Sequence, residues 1–193
     1  MRWIALGDRA IRFARPLAVA PRTLVEAART WPGVIDVVVA AEDVAVYFDR
    51  EPHIDAADLD ALAMLAGDHG PPRELELRAH YDGEDLETVA RATALTIEEV
   101  CAVHAAATYT VETLGFAPGF AYLRGLDSRL QLPRRATPRA RVPAGSIAIA
   151  RGYTAVYPFD SPGGWHLLGH VKDRMFGDAG ALLQHGDRVR FVP

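Results

Sequence analysis

Between Gly115 and Val171, glycine and proline alternate with aromatic residues and arginines, most densely at Ser161-Pro162-Gly163-Gly164-Trp165. Glycine and proline usually punctuate turns, but this stretch is too apolar for a disordered linker, so its backbone must follow an ordered path. Proline fixes φ and removes a donor, whereas glycine admits positive φ or close backbone approach. Pro162-Gly163-Gly164 therefore specifies a tight path with little bulk in front of Trp165. That describes a binding rim as well as it describes a turn.

A chain of 193 residues with 50% apolar content can bury one large core or two small ones. No apolar run approaches the length of a membrane span, and Met1 to Asp8 lacks a long apolar leader, which reads as a cytoplasmic protein. The single cysteine, Cys101, excludes an internal disulfide framework and a multi-cysteine metal site. A net charge of -4 argues against bulk nucleic-acid affinity. Lys172 is the one lysine, so no Gly-x-x-x-x-Gly-Lys phosphate loop exists. Arg124, Arg129, Arg134, Arg135, Arg139, Arg141 and Arg151 cluster in the second half, while most acids lie in the first. An anionic ligand should meet this arginine-rich segment.

Periodicity predicts an α+β N-terminal domain over residues 1–80: strands at Arg2–Leu6 and Ala10–Phe13, a helix over Thr23–Thr30, and a hairpin of Val34–Val39 with Val44–Phe48 turning through Ala40-Ala41-Glu42-Asp43. A second helix starts from Asp55 as N-cap and breaks at Gly67; Gly70-Pro71-Pro72 then precedes a strand over Glu74–Ala79. In residues 81–193, a short helix spans Asp85–Ala92, and Thr96 with Glu99 forms a capping box ahead of Ile97, Val100, Cys101 and His104. Strands follow at Tyr109–Thr113, Ser146–Ala150, Thr154–Tyr157, Trp165–Val171 and Arg188–Val192, the pattern of a closed β-structure.

Each chemical reading has a plainer one beside it. Cys101 and His104 share an apolar helix face, where core packing is the usual role. His166 and His170 would be same-face neighbours on a strand, with no third ligand at a recognised spacing, so no zinc site is expected. Ser146 and Ser161 lie beside glycines without a nucleophile elbow, and turn capping is their default. Phe116, Phe120, Tyr122, Tyr157 and Trp165 divide between core and groove wall, with Arg134, Arg135, Arg139 and Arg141 as the polar side.

The ordered set Gly115-Phe116-x-Pro118-Gly119-Phe120-x-Tyr122-Leu123, Pro133-Arg134-Arg135, Pro138-Arg139, Val142-Pro143-Ala144-Gly145-Ser146, Tyr157-Pro158, Ser161 to Trp165 and Gly186-Asp187-x-Val189-Arg190-Phe191 resembles the family of 5-oxoprolinase B subunits. That family is also called allophanate hydrolase subunit 1 and includes an inhibitor of a sporulation histidine kinase. The resemblance runs from about Tyr81 to Pro193. It implies a cyclophilin-like β-barrel of carboxyltransferase type after the small α+β domain. It further implies a complex with A and C subunits that couples ATP, with Mg, to opening of 5-oxoproline into glutamate, the isolated chain being inactive.

An unactivated lactam is a poor electrophile, which is the chemical reason for spending ATP on its oxygen. Allophanate hydrolysis and a non-enzymatic, kinase-binding module are the alternatives. The resemblance places His104 in the family's histidine-bearing helix and, with Arg134 and Arg139, in a catalytic set. It places Pro118, Gly119, Arg135, Pro143, Gly145 and Ser146 in the groove together with the aromatics, and Ser161 to Trp165 on one wall. The two glycines Gly163 and Gly164 are expected to supply N–H donors, and a β-branched residue at Gly164 to abolish partner-dependent activity. No metal is expected in this chain. Val171 stands where the family usually has threonine and Ala155 where glycine is common, and the N-terminal domain is short for the family.

Overall fold

The computed structural model describes residues 1–40, 42–65, 72–178 and 180–193. They form two units, Met1–Pro72 and Arg73–Pro193. The expected turn position Ala41, the break at Gly67 and the Gly70-Pro71 punctuation lie outside the described residues.

The first unit carries β1 (Trp3–Ala5), β2 (Ala10–Ala14), α1 (Pro21–Ala28), β3 (Val34–Val39), β4 (Asp43–Phe48) and α2 (Ala56–Ala63). Its strands form an antiparallel sheet in the order β1-β2-β4-β3. Alternation decides which face is covered: Ile11, Phe13, Val37, Val39, Val44, Val46 and Phe48 are buried with Leu24, Ala28, Leu59 and Leu62 of the helices. Helix α1 begins at Pro21 rather than Thr23, because the fixed φ of proline suits the first helical turn, where its missing N–H has no partner to lose. Asp55 caps α2 by accepting from the Ala57 and Asp58 N–H groups, and Asp58 completes the capping box.

The second unit contains β5 (Glu74–His80), α3 (Leu86–Thr93), α4 (Ile97–Ala106), β6 (Thr108–Leu114), β7 (Ala121–Arg124), β8 (Arg139–Val142), β9 (Ser146–Ala150), β10 (Tyr153–Val156), β11 (Ser161–Gly163), β12 (His166–Val171), β13 (Phe176–Gly177), β14 (Gly180–Ala181) and β15 (Arg188–Val192). A barrel closes in the order β10-β7-β6-β15-β5-β12-β9, with β9 returning to β10. Strand β5 pairs in parallel with β15 and antiparallel with β12. The strand over residues 74–80, read from sequence as part of the N-terminal domain, is therefore a barrel stave. The division falls after Pro72 instead of near His80. Its alternating pattern identifies a half-buried strand but cannot reveal a partner more than a hundred residues away at the C-terminus.

All five residues of β9 are buried. Ile147 and Ile149 join the barrel core with Leu77, Val100, Tyr109 and Phe191. Ala148 and Ala150 belong to a second cluster with Phe120, Tyr157 and Trp165. Ala155 lies in that second cluster, fully buried, so its methyl is absorbed by packing. Helices α3 and α4 contribute Leu86, Val89, Ala90 and Val100 to the barrel core. The Thr96–Glu99 capping box forms as the spacing predicts, with the Glu99 N–H donating to Thr96 Oγ1 at 3.1 Å.

Two glycines let the entry to α3 lie directly on β12. A Cβ on Gly169 would sit 2.0 Å from the His80 carbonyl oxygen, and one on Gly83 would sit 2.3 Å from that of Leu167. The Gly83 and Asp85 N–H groups donate to the Leu168 and Leu167 carbonyls across this contact. We expect Gly169→Ala to lower stability by about 3 kcal/mol or more, since backbone rather than a flexible side chain must yield. Gly115→Ala, whose Cβ meets nothing within 4 Å, is expected to change it by less than about 0.5 kcal/mol. Denaturant titration of both variants checks the contrast.

Candidate functional site

The groove rests on the second cluster. Phe120 is its hub, with ring centroids 5.4 Å from Tyr157, 5.7 Å from Trp165 and 5.2 Å from Phe116, each pair edge to face. Around this floor lies a cavity of about 220 Å³ that Tyr122, Arg134, Pro138, Pro162, Gly163 and Gly164 complete with those four aromatics. Phe120, Tyr157 and Trp165 are buried, whereas Phe116 is 61% exposed. Phe116 also holds φ of +71°, a left-handed conformation rare for an aromatic residue. The loop from Gly115 is tied by the Gly115 N–H to the Phe120 carbonyl at 3.1 Å. Gly119, at φ of +81°, permits close approach: a Cβ there would lie 2.8 Å from Phe176 Cβ.

The opposite wall comes from residues 133–142. The Arg135 N–H donates to the Gly164 carbonyl at 2.7 Å, and β8 pairs with β11, aligning Arg139 with Gly163. Gly163 is the glycine the floor requires, since a Cβ would fall 2.2 Å from the Tyr157 hydroxyl. At Gly164 a Cβ would meet Pro138 at 3.6 Å, an ordinary contact. The expectation that Gly164 is indispensable thus changes in its reason: a side chain there fills the groove without breaking the wall, while Gly163 carries the steric constraint.

The arginines separate into distinct roles. Arg135 and Arg139 both turn to Asp85, at 2.5 and 2.8 Å, and Arg139 also reaches Glu84 at 2.8 Å. Arg134 has no hydrogen bond or ion pair among the described residues and lines the cavity. Of the three arginines Arg134, Arg135 and Arg139, it is the one without a carboxylate partner. Asp85 was not singled out by sequence, though it stood at the predicted start of α3. Burial alone raises its pKa, but hydrogen bonds from Arg139 and the Leu167 N–H, with the charges of Arg139 and Arg135, outweigh burial and hold the carboxyl below its ordinary range.

Other predicted site residues lie elsewhere. Pro118 is exposed on the 115–120 loop and Pro143 on the turn before β9; neither lines the cavity. Gly145, at φ of +83°, is a junction: its N–H donates to the Tyr157 carbonyl and its carbonyl accepts from Val171. The valine at 171 thus contributes through its backbone. Ser146 is buried at the start of β9, and Ser161 Oγ donates to the Phe159 carbonyl, so Ser161 serves its turn. His170 meets Asp82 at 2.8 Å and stacks on His80, and the described residues hold no cluster of three or more metal-ligating side chains.

His104 is fully buried in the barrel and absent from the cavity lining. The ring is therefore placed within the barrel core, packed against Tyr109 and Phe191, and not at the groove. Thr154 Oγ1 donates to the Ala148 carbonyl, so it accepts from His104 Nε2–H at 2.9 Å; Nδ1 then accepts from the Tyr81 hydroxyl at 2.8 Å. Every polar atom of the neutral ring is satisfied. Desolvation lowers the His104 pKa from 6.5 to about 3. Since the unfolded chain binds this proton more tightly, the contribution to stability is complete above about pH 6.5 and falls toward pH 3, by up to about 1.4 kcal/mol per unit. Nitrogen NMR should find His104 as the neutral Nε2–H tautomer at both pH 7.5 and pH 5; protonation by pH 5 would contradict this network.

The carboxyltransferase domain, subdomain C and D, family matches residues 6–181. The 5-oxoprolinase B subunit of Bacillus subtilis is 35% identical over 216 aligned positions, which cover 97% of this chain and 90% of that protein. The Escherichia coli O157:H7 protein of the same name is 36% identical, covering 90% and 88%. That of Haemophilus influenzae is 46% identical over 126 residues, covering 62% of this chain and 59% of its own. Among solved structures, TTHA0988 superposes with a TM-score of 0.80 at 35% identity, covering 95% of this chain, which spans only 40% of that one. The Kluyveromyces lactis urea amidolyase, at 17% identity and a TM-score of 0.71, shares the fold. The aromatic groove, the closed barrel and this match along nearly its whole length mean that the chain belongs to the carboxyltransferase C/D-subdomain family, as a relative of the 5-oxoprolinase B subunits.

Proposed function

We propose that this chain acts as the B subunit of an ATP-dependent 5-oxoprolinase, opening 5-oxoproline to glutamate together with A and C subunits. The observation that carries the groove's part in this is the guanidinium of Arg134, the arginine that lines the cavity and has no ion pair among the described residues, beside an aromatic floor. 5-Oxoproline has a single carboxylate on a small, flat lactam ring. Arg134 pairs with the carboxylate, and the ring lies against Phe120 and Trp165 with Phe116 at the rim. Aromatic walls keep water from the ion pair, which strengthens it over the same pair in bulk solvent. Holding the ring in one orientation presents the lactam carbonyl to a reacting group from a partner subunit, and such orientation lowers a barrier by removing motional freedom beforehand.

Magnesium-ATP does not fit this groove. It needs several phosphate donors and carboxylates for the cation, whereas the cavity of about 220 Å³ offers one guanidinium and no acidic cluster among the described residues. No step is assigned to the nucleotide within this chain.

The test uses the complex reconstituted with the A and C subunits, measuring ADP and glutamate formed from ATP and 5-oxoproline. We expect Arg134→Ala to raise KM for 5-oxoproline by about 10- to 100-fold, the worth of a charged hydrogen bond, with thermal stability unchanged. Gly164→Val, which narrows the cavity beside Pro138, should lower kcat/KM by about tenfold or more and leave the barrel folded. Full turnover in both variants removes the groove from the reaction. No turnover by the wild-type complex removes the oxoprolinase assignment.

A further inference from the structure

Asp85 occupies the N-cap position of α3 yet makes no side-chain cap hydrogen bond. Aspartate is among the residues favoured there because its oxygen accepts from the first helical N–H groups. Here the carboxylate turns away from its helix, with the side chain only 3% exposed. Its Oδ2 accepts from the Leu167 N–H at 2.7 Å, while the Asp85 N–H donates to the Leu167 carbonyl at 3.2 Å. The residue is therefore bridged in both directions to β12. Its Oδ1 accepts from Arg135 and Arg139 together.

Both arginines belong to the segment that forms one groove wall. Arg134 and Pro138, which line the cavity, are their immediate neighbours in the chain. Two guanidinia carry more donors than one carboxylate accepts, and Arg135 Nε and Arg139 Nη1 are buried without a partner. Stability alone would not select this arrangement, because each unmet buried donor is destabilising. What it achieves is a division of labour along one run of charges. Two arginines are anchored on one shared carboxylate, and Arg134 is left without a carboxylate partner beside the aromatic floor.

We propose that Asp85 is a positioning residue for the groove: by holding Arg135 and Arg139 against Leu167, it sets the wall so that Arg134 alone is presented to the substrate carboxylate. This rests on the oxoprolinase reading for its substrate but not for its geometry. Asp85 touches no ligand and acts through Arg134. The nearby exposed carboxylate of Glu84 pairs with Arg139 only, at the cluster's edge, and does not replace it.

Asp85→Asn tests this, since it keeps the shape and an oxygen for the Leu167 N–H while deleting the charge. The first readout needs no activity: limited trypsin digestion of the folded complex, followed by mass spectrometry of cleavage after Arg134 and Arg135. We expect cleavage at these bonds to accelerate about tenfold or more as the wall is released, with the remaining sites unchanged. The second readout is a kinetic split. KM for 5-oxoproline should rise about tenfold, with kcat within about threefold of wild type. The Asp85→Asn/Arg134→Ala double variant should be no worse than Arg134→Ala alone.

A purely structural Asp85 would lower the folded fraction and Vmax, leave KM unchanged and add to the Arg134 effect; that result overturns the proposal, as does wild-type protection from trypsin. Should Asp85→Asn fail to fold, Arg135→Gln removes one tether and leaves Asp85 paired with Arg139 and Leu167. Because this change removes the tryptic site after Arg135, the readout is cleavage after Arg134 alone, which, with KM, is expected to shift in the same direction by about threefold; unchanged values overturn the proposal. A wild-type complex without turnover defeats the oxoprolinase reading only, and the cleavage comparison then decides the role of Asp85.

Discussion

A strand buried on both faces must satisfy two different packings at once, and β9 is under that constraint. It hydrogen-bonds to β10 and β12, which closes the barrel. Its isoleucines fill the barrel core, and its alanines leave room for the rings of Phe120, Tyr157 and Trp165. Enlarging Ala148 or Ala150 would push this cluster off the barrel, because close-packed interiors have little slack for added methylenes. The groove is thus an outgrowth of barrel closure. Its floor is packed directly on the barrel staves, so its shape is tied to theirs.

Electrostatics then distinguish groups that composition treats alike. Arginine-rich segments are commonly solubilising, and Arg141, paired with Asp160 at the exposed surface, fits that description. Arg135 and Arg139 differ because their shared carboxylate is buried and hydrogen-bonded to backbone. A buried ion pair gains from low dielectric only when the cost of desolvation is offset by good geometry, and the Leu167 N–H supplies the extra bond. Arg134, next in the chain to an anchored neighbour, inherits a fixed position without losing its free charge.

Much of the fold was legible because local rules and tertiary structure agree. The Asp55 and Thr96 caps, the alternating strands of the first sheet and the run from Arg188 to Val192 follow from residue type and period. The membership of β5 was not legible, since pairing with β15 depends on chain closure rather than on either sequence. Short strands such as the stave β7 and the separate pair β8 and β11 were also missed, being only three or four residues long within glycine, proline and arginine signals. In the groove, Phe116, Phe120, Tyr122, Tyr157, Trp165 and Pro162 to Gly164 come together as a set, but Pro118, Pro143 and Ser146 do not. Motif membership marks residues the fold needs as readily as residues a ligand meets. Asp85 carried a weak signal, an acidic residue at a helix start, and a capping role would have explained it fully.

His104 shows how the same ambiguity resolves in the other direction. A histidine on an apolar helix face can be a catalyst only if its ring meets solvent or substrate, and at full burial the discriminating quantity is whether both ring nitrogens are paired. Tyr81 and Thr154 pair them, and the Tyr109 hydroxyl donates to the His104 backbone carbonyl at 2.8 Å. Aromatic contacts from Tyr81, Tyr109 and Phe191 surround the ring. Such a network specifies one arrangement of α4 against Tyr81, β6, β10 and β15, because any slip would strand a buried donor or acceptor. Phe116 is the opposite case, an exposed aromatic held in a left-handed backbone conformation at the rim of a cavity. Fully paired burial makes His104 part of the frame. Phe116 instead carries backbone strain while keeping its ring at the cavity rim, edge to face with Phe120 and Tyr157.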